Sequence, residues 1–275
     1  MNVLTLLRFK HAILGRLAPK RLAANMAHLF LTPRRLPKKK WEVDTLAGAE
    51  KVQLENGLQG LRWGTQGKTV LLMHGWESRS THMITLVAPL IQQGFQVLAI
   101  DAPMHGESQG QKSNPVEFAN SILVSEKEYG PFAAVVGHSM GAAALAIALE
   151  DGLQCQCCVL VSSPACILDG LNGFAQFMNL PNTCHKYFIE AVEAQVGRKA
   201  QTLDVAKTLK QHQPNSLLIH CQDDKEIPFR AFQALHLAHP NSQIFTPEGL
   251  GHRRIIRDAN VAQRIGQFIS MQLTV

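Results

Sequence analysis

Ala133-Ala134-Val135-Val136-Gly137-His138-Ser139-Met140-Gly141-Ala142-Ala143-Ala144 is the stretch on which the reading of this chain turns. Ala133 to Val136 have the texture of a buried strand, and Ala142 to Leu149 that of a helix. Between them, residues 137–141 fit G-x-S-x-G. A turn that joins a strand directly to a helix crowds its own backbone, and glycine at both outer positions relieves the crowding. The serine is left exposed at the strand end, beside the amides that open the helix. Such a pattern arises by chance in roughly one chain in ten of this length, so its meaning rests on what accompanies it.

Composition narrows the classes. The 275 residues are enough for one large α/β domain, and 46% hydrophobic with 17% charged residues describes a folded chain. No apolar run approaches the ~20 residues of a membrane span. Cys155-Gln156-Cys157-Cys158 lacks the paired C-x-x-C spacing of zinc sites, so the six cysteines read as reduced thiols of a cytoplasmic protein. The net charge of +6 is uneven: residues 1–40 hold ten Lys/Arg and no Asp or Glu, giving +10. The rest of the chain carries −4. The basic character is therefore local, no nucleic-acid motif is present, and no nucleic-acid partner is expected.

The basic arm, residues 1–45, carries apolar residues at helical spacing: Ile13, Leu14 and Leu17, then Leu22, Met26, Leu29 and Phe30. Pro19 separates two helices and Pro33 follows the second. The arm is expected to pack on the main domain; the rival reading is a peripheral contact with an anionic membrane. A transit peptide would be rich in serine, and no serine precedes Ser78.

From residue 46 the texture is α/β. Two short strands flank Asn56-Gly57, a hairpin signal. Lys68 to Met73 is a continuous apolar strand, as in a buried parallel sheet. A helix is expected from His82 to Gln93, then a strand from Phe95 to Ile100. Further strands are read at Cys158 to Ser162, Ser216 to His220 and Ser242 to Phe245, with a closing helix from Asp258 to Met271. The alternation gives a mostly parallel sheet covered by helices. The stretch at about 165–213 breaks it with helical patterns and reads as a small helical cap inserted over a site.

Five features resemble the α/β-hydrolase superfamily, in order. His74-Gly75-Trp76 follows the third strand. Asp101-Ala102-Pro103-Met104-His105-Gly106-Glu107-Ser108 resembles a D-x-P-G-x-G-x-S loop. Residues 137–141 form the nucleophile elbow. Cys221-Gln222-Asp223-Asp224-Lys225-Glu226-Ile227-Pro228 resembles the G-x-x-D-x-x-V-P turn, and Gly249-Leu250-Gly251-His252 the late glycine–histidine loop. The resemblance implies an eight-stranded, mostly parallel sheet and a Ser139–Asp224–His252 triad. It also implies an oxyanion hole from the N–H groups of Trp76 and Met140. Asp223 is the alternative acid; Cys221 stands where the turn has glycine. Asp101 is read as a loop anchor and His138 as structural. Phe174, Phe177 and Met178 of the cap are expected to bind substrate. The function implied is hydrolysis of a small or medium carboxylic ester, a small-molecule substrate, with no cofactor and no metal. Thioesters, C–C bonds, membrane lipids or a non-catalytic binding role are the alternatives.

Overall fold

In a computed structural model of the chain, the structure describes residues 3–44, 46 and 48–273. Their helices, in chain order, are α1 (Val3–Leu17), α2 (Pro19–Phe30), α3 (Lys40–Asp44), α4 (Val87–Gln92), α5 (Pro115–Tyr129) and α6 (Met140–Glu150). Then come α7 (Ile167–Phe177), α8 (Asn182–Val196), α9 (Val205–His212), α10 (Phe229–Ala238), α11 (Gly251–Arg254) and α12 (Ala259–Leu273). The strands are β1 (Glu50–Gln53), β2 (Gln59–Trp63), β3 (Thr69–Met73), β4 (Gln96–Asp101), β5 (Phe132–His138), β6 (Cys155–Val161), β7 (Ser216–Ile219) and β8 (Gln243–Phe245).

The eight strands form one open sheet in the order β1-β2-β4-β3-β5-β6-β7-β8. β1 and β2 pair antiparallel, as do β2 and β4, and every later pair is parallel. Every residue of β5 is buried, which explains its unbroken apolar run. The turn between β1 and β2 places Asn56 and Gly57 at φ 60° and 71°, a conformation these two residue types tolerate. The helix expected from His82 to Gln93 is split into a 3-10 stretch, Ser80–Leu86, and α4. Pro89 is the reason: it lacks an amide to bond one turn back, so the α-helix begins just before it.

The chain divides into two compact units, residues 34–165 with 205–275, and residues 1–33 with 166–204. These boundaries differ from those read in the sequence, an arm over 1–45 and an insertion over 165–213. The first unit holds the sheet, α9 and residues 34–44. The second is helical, and it joins the first two helices to α7 and α8. Leu22, Ala23, Met26 and Ala27 of α2 share one apolar core with Leu171, Ala175, Cys184, Phe188 and Val192. Phe30 meets the Phe174 and Phe188 rings edge-on at 5.0 and 5.7 Å. Arm and insertion each carry an apolar face, and each covers the other's.

Residues 34–44 depart from the arm because their side chains are fastened to loops of the sheet unit. Arg34 grips Glu77 through two guanidinium nitrogens, at 2.8 and 2.5 Å. Lys38 pairs with Glu107 at 2.7 Å. Buried Glu42 accepts the Thr81 hydroxyl at 2.6 Å.

If the first helices are core rather than appendage, Leu22→Ala and Met26→Ala should each destabilise the helical unit by about 2–5 kcal/mol. Chemical denaturation followed by circular dichroism reads this directly. Unchanged midpoints would mean that the arm does not hold this packing in solution.

Candidate active site

β5 delivers the elbow. Ser139 sits at φ 54° and ψ −117°, a backbone conformation that non-glycine residues hold only where their surroundings enforce it. A Cβ on Gly141 would lie 2.3 Å from the Met73 carbonyl oxygen, and one on Gly137 2.6 Å from the Ala142 Cα. Neither position admits a side chain, so β3, the turn and the first turn of α6 close on each other without spacers.

The other two residues arrive from the far half of the sheet. β7 runs into His220 and Cys221, and Asp224 follows in a tight turn. Its Oδ1 accepts the amides of Glu226 and Ile227, both at 2.9 Å. The free oxygen, Oδ2, accepts a hydrogen bond from His252 Nδ1 at 2.7 Å. His252 Nε2 lies 3.0 Å from Ser139 Oγ. The sequence-expected Ser139, Asp224 and His252 are thus brought together as one chain of hydrogen bonds. Burial works to raise the Asp224 carboxyl. The bonds from His252, Ile227 and Glu226 outweigh it and hold the group below its usual range.

Asp223, the alternative acid, points elsewhere. Its Oδ1 accepts the Cys221 thiol at 2.6 Å and the Gly249 amide at 3.0 Å. The Cys221 sulfur accepts the next two amides, of Leu250 and Gly251, at 3.3 and 3.2 Å. Three consecutive N–H groups leading into His252 therefore converge on one thiol–carboxylate pair. Gly249 and Gly251 at φ 75° and 60°, either side of a helical Leu250, shape the concavity. The replacement of the turn glycine by Cys221 was the visible signal of this clamp, though sequence alone does not say what the thiol holds.

Four further groups build the frame. Asp101 accepts the Ser80 amide at 2.7 Å and the Glu107 amide at 2.8 Å, a loop anchor as expected. His74 Nε2 accepts the Ala102 amide while its Nδ1 donates to the Gly75 carbonyl. His105 Nε2 accepts the Glu77 amide while its Nδ1 donates to Pro103. His138 Nε2 donates to the His252 carbonyl at 2.9 Å. Burial pushes His74, His105 and His138 each down to about 3, so all three are neutral at ordinary pH.

The two residues expected to supply oxyanion donors flank the serine. Met140 is the first residue of α6. Gly75 approaches so closely that a Cβ there would lie 3.1 Å from the Ser139 Cβ, and Trp76 follows it along the cavity wall. That cavity, about 310 Å³, is lined by Ser139 and His252 together with Lys39, Glu42, Glu77, Arg79, Glu226, Arg253, Arg254 and Arg257. Each of its carboxylates faces an arginine: Glu77 faces Arg34 at 2.5 Å, Glu226 faces Arg253 at 2.7 Å, and Glu42 faces Arg79 at 3.7 Å. Among the described residues, Lys39, Arg254 and Arg257 have no carboxylate within ion-pair distance. Arg254 donates to the Leu250 and Gly249 carbonyls, and Arg257 lies 4.7 Å over the Trp41 ring.

The three cap residues expected to bind substrate, Phe174, Phe177 and Met178, lie in the helical unit. The Phe174 ring stacks on Phe188 at 5.4 Å, and Met178 is buried in the core of the helical unit. Phe177 is exposed on α7. The apolar face that suggested a pocket is the face turned to α8 and α2. Among the described residues, no three His, Cys, Asp or Glu side chains are grouped as a metal site would need.

Comparison with known proteins speaks for the family and the fold. Residues 64–223 match the family model described as serine aminopeptidase, S33, a match that ends one residue before Asp224. A serine hydrolase-like protein of Danio rerio is 36% identical over 90 residues, which are 30% of this chain and 27% of that protein. The chain thus spans well under two thirds of that relative. The Pyrococcus furiosus esterase Pf2001 superposes with a TM-score of 0.64 at 22% identity, over 88% of this chain and 99% of the esterase. Est1E of Butyrivibrio proteoclasticus, solved with ferulic acid, gives 0.64 at 17% identity, over 82% and 100%. The thioesterase domain from the curacin biosynthetic pathway gives 0.59 at 18%, over 80% and 98%. Likeness at these identities speaks for the fold. Since the family model spans more than half of the chain, the protein belongs to the serine aminopeptidase S33 family, and with it to the α/β-hydrolases.

Proposed function

We propose that the chain hydrolyses a small carboxylic ester through an acyl-enzyme intermediate, and that the ester carries an anionic group. The observation that carries the first part is the unbroken line from Asp224 Oδ2 through His252 to Ser139 Oγ. A serine hydroxyl is a poor nucleophile until a base takes its proton, and the base works when a carboxylate fixes its tautomer. Ser139 Oγ attacks the ester carbonyl as its proton passes to His252 Nε2. The oxyanion is received by the N–H groups of Met140 and Trp76. Collapse breaks the ester C–O bond, and His252 returns the proton to the departing alcohol. Water then repeats the sequence on the acyl-serine, releasing the acid.

The anionic group is read from the cavity's charges. A peptide's ammonium terminus would need a carboxylate, and all three in the lining already face arginines, whereas Lys39, Arg254 and Arg257 have no carboxylate partner among the described residues. Thioester hydrolysis is the second reading, since the same groups would attack a thioester carbonyl.

Chromogenic esters in pairs of equal acyl length, one ending in methyl and one in carboxylate, test both parts. Ser139→Ala should lose roughly a million-fold in kcat, and a fluorophosphonate should label Ser139 alone. The carboxylate member should show about tenfold higher kcat/KM, fading as salt screens the cavity's field. Preference for the methyl member would remove the anionic reading and leave the nucleophile intact; labelling of another serine would remove both.

Asp224→Asn should lower kcat by about ten-thousand-fold with the fold retained, because the amide favours the wrong tautomer. Asp223→Asn should be much milder; the reverse ranking would reassign the acid. Asp224 is held below its unfolded value, so its charge is present above about pH 4 and is lost only as pH falls through the depressed value. Loss of activity at higher pH therefore reports another group.

Cys221→Ala removes the acceptor of two loop amides and should lower kcat by about ten- to a hundred-fold with KM little changed, through misplacement of His252. Cys221→Ser should recover part of the loss. Full turnover in the alanine variant would show that the loop holds its shape unaided.

A further inference from the structure

The helical unit carries a surface that ester hydrolysis does not use. α1 presents Leu6, Phe9, Ile13 and Leu17 at exposures of 55, 61, 42 and 78%. Their spacing of three, four and four residues puts them in one stripe along the helix. At 100° per residue the stripe is about 80° wide, with Lys10 just beyond one edge and Arg16 just beyond the other. Both cations are exposed. The opposite face is fixed to the protein. His11 is buried and donates through Nδ1 to the Met178 carbonyl at 3.2 Å. Gly15 lies so near the α7–α8 connection that a Cβ there would meet Pro181 Cδ at 2.6 Å. The rotation of α1 is therefore set by its inner face, and the apolar stripe is held outward.

We propose that this stripe docks on the surface of an anionic lipid bilayer, with α1 lying in the plane of the interface. Large side chains held in water gain by entering the acyl boundary, while Lys10 and Arg16 extend to the headgroup level on either side. The charge of the segment selects the lipid. Residues 1–33, the part of the chain start that belongs to the helical unit, hold five Lys/Arg and no carboxylate, so an anionic leaflet attracts the segment and no acid within it opposes. The helix lies on the membrane and does not span it. Its 15 residues reach about 22 Å against a hydrocarbon core of about 30 Å, and no described helix is long and apolar enough to cross.

The test uses the full chain and sedimentation with vesicles. Vesicles of phosphatidylcholine mixed with phosphatidylglycerol should carry the protein down, and pure phosphatidylcholine should not. Added salt should weaken the binding. The variant Leu6→Gln/Phe9→Gln/Ile13→Gln, which leaves His11 and Gly15 in place, should bind at least about tenfold more weakly and melt with the wild type. Phe9→Trp should shift its emission to the blue on phosphatidylglycerol vesicles by more than the wild type, whose Trp41, Trp63 and Trp76 set the baseline. Three results would overturn the proposal: no binding to the anionic vesicles, equal binding by the triple variant, or a wild-type dimer that the variant makes monomeric while neither binds vesicles.

Discussion

The backbone of Gly141 lies against the carbonyls of Met73 and His74, so close that no side chain fits between them. Much else depends on that contact. It presses the first turn of α6 onto the end of β3 and leaves Ser139 a single exit, at positive φ, into the cavity. It also brings the chain after β3 beside the serine, where Gly75 and Trp76 form the near wall. A strand order that places β3 beside β5 is what allows the meeting, and the parallel pairing of those strands sets its register.

Around this contact the protein builds a frame of uncharged histidines. His74 and His105 each turn an unprotonated nitrogen toward a backbone N–H and a protonated one toward a carbonyl. A second proton on either ring would face a donor with a donor. Burial and hydrogen-bond geometry thus oppose protonation together, and the loops after β3 and β4 keep their shape without a charge that would compete with the site's own. His138, set directly before the serine, spends its donor on the carbonyl of His252, tying the elbow to the loop that carries the base. His74, His105 and His138 serve as rigid neutral struts.

The parts of the site that could be read from sequence are those where chemistry permits few residue types at fixed spacing: the glycines of the elbow, Ser139, the Asp224 turn and the loop of His252. The order of strands and helices was legible because a sheet buried on its faces must be written as continuous apolar runs. What could not be read was which face covers which. The periodicity of Phe174 and Met178 announces an apolar surface, but not that Phe30 and Phe188, from two distant stretches of chain, pack against Phe174. The lysines and arginines of residues 34–40 read in the sequence only as the end of a basic arm. Their anchors, Glu77 and Glu107, lie some forty to seventy residues away, in loops whose direction no local pattern reveals.

The helical unit is assembled from two pieces of chain that lie far apart in sequence, residues 1–33 and 166–204. This imposes an order in time. When α2 leaves the ribosome, its partner α8 is not yet made, and Leu22, Met26 and Phe30 have nothing of their own unit to cover them. At about 5–20 residues per second, the wait lasts roughly ten to thirty seconds, during which most of the sheet is synthesised. The sheet unit needs residues up to its last strand and closing helix, so it is completed after the helical unit. A chain arranged in this way keeps the apolar face of α2 without its own partner until residue 196 has been made.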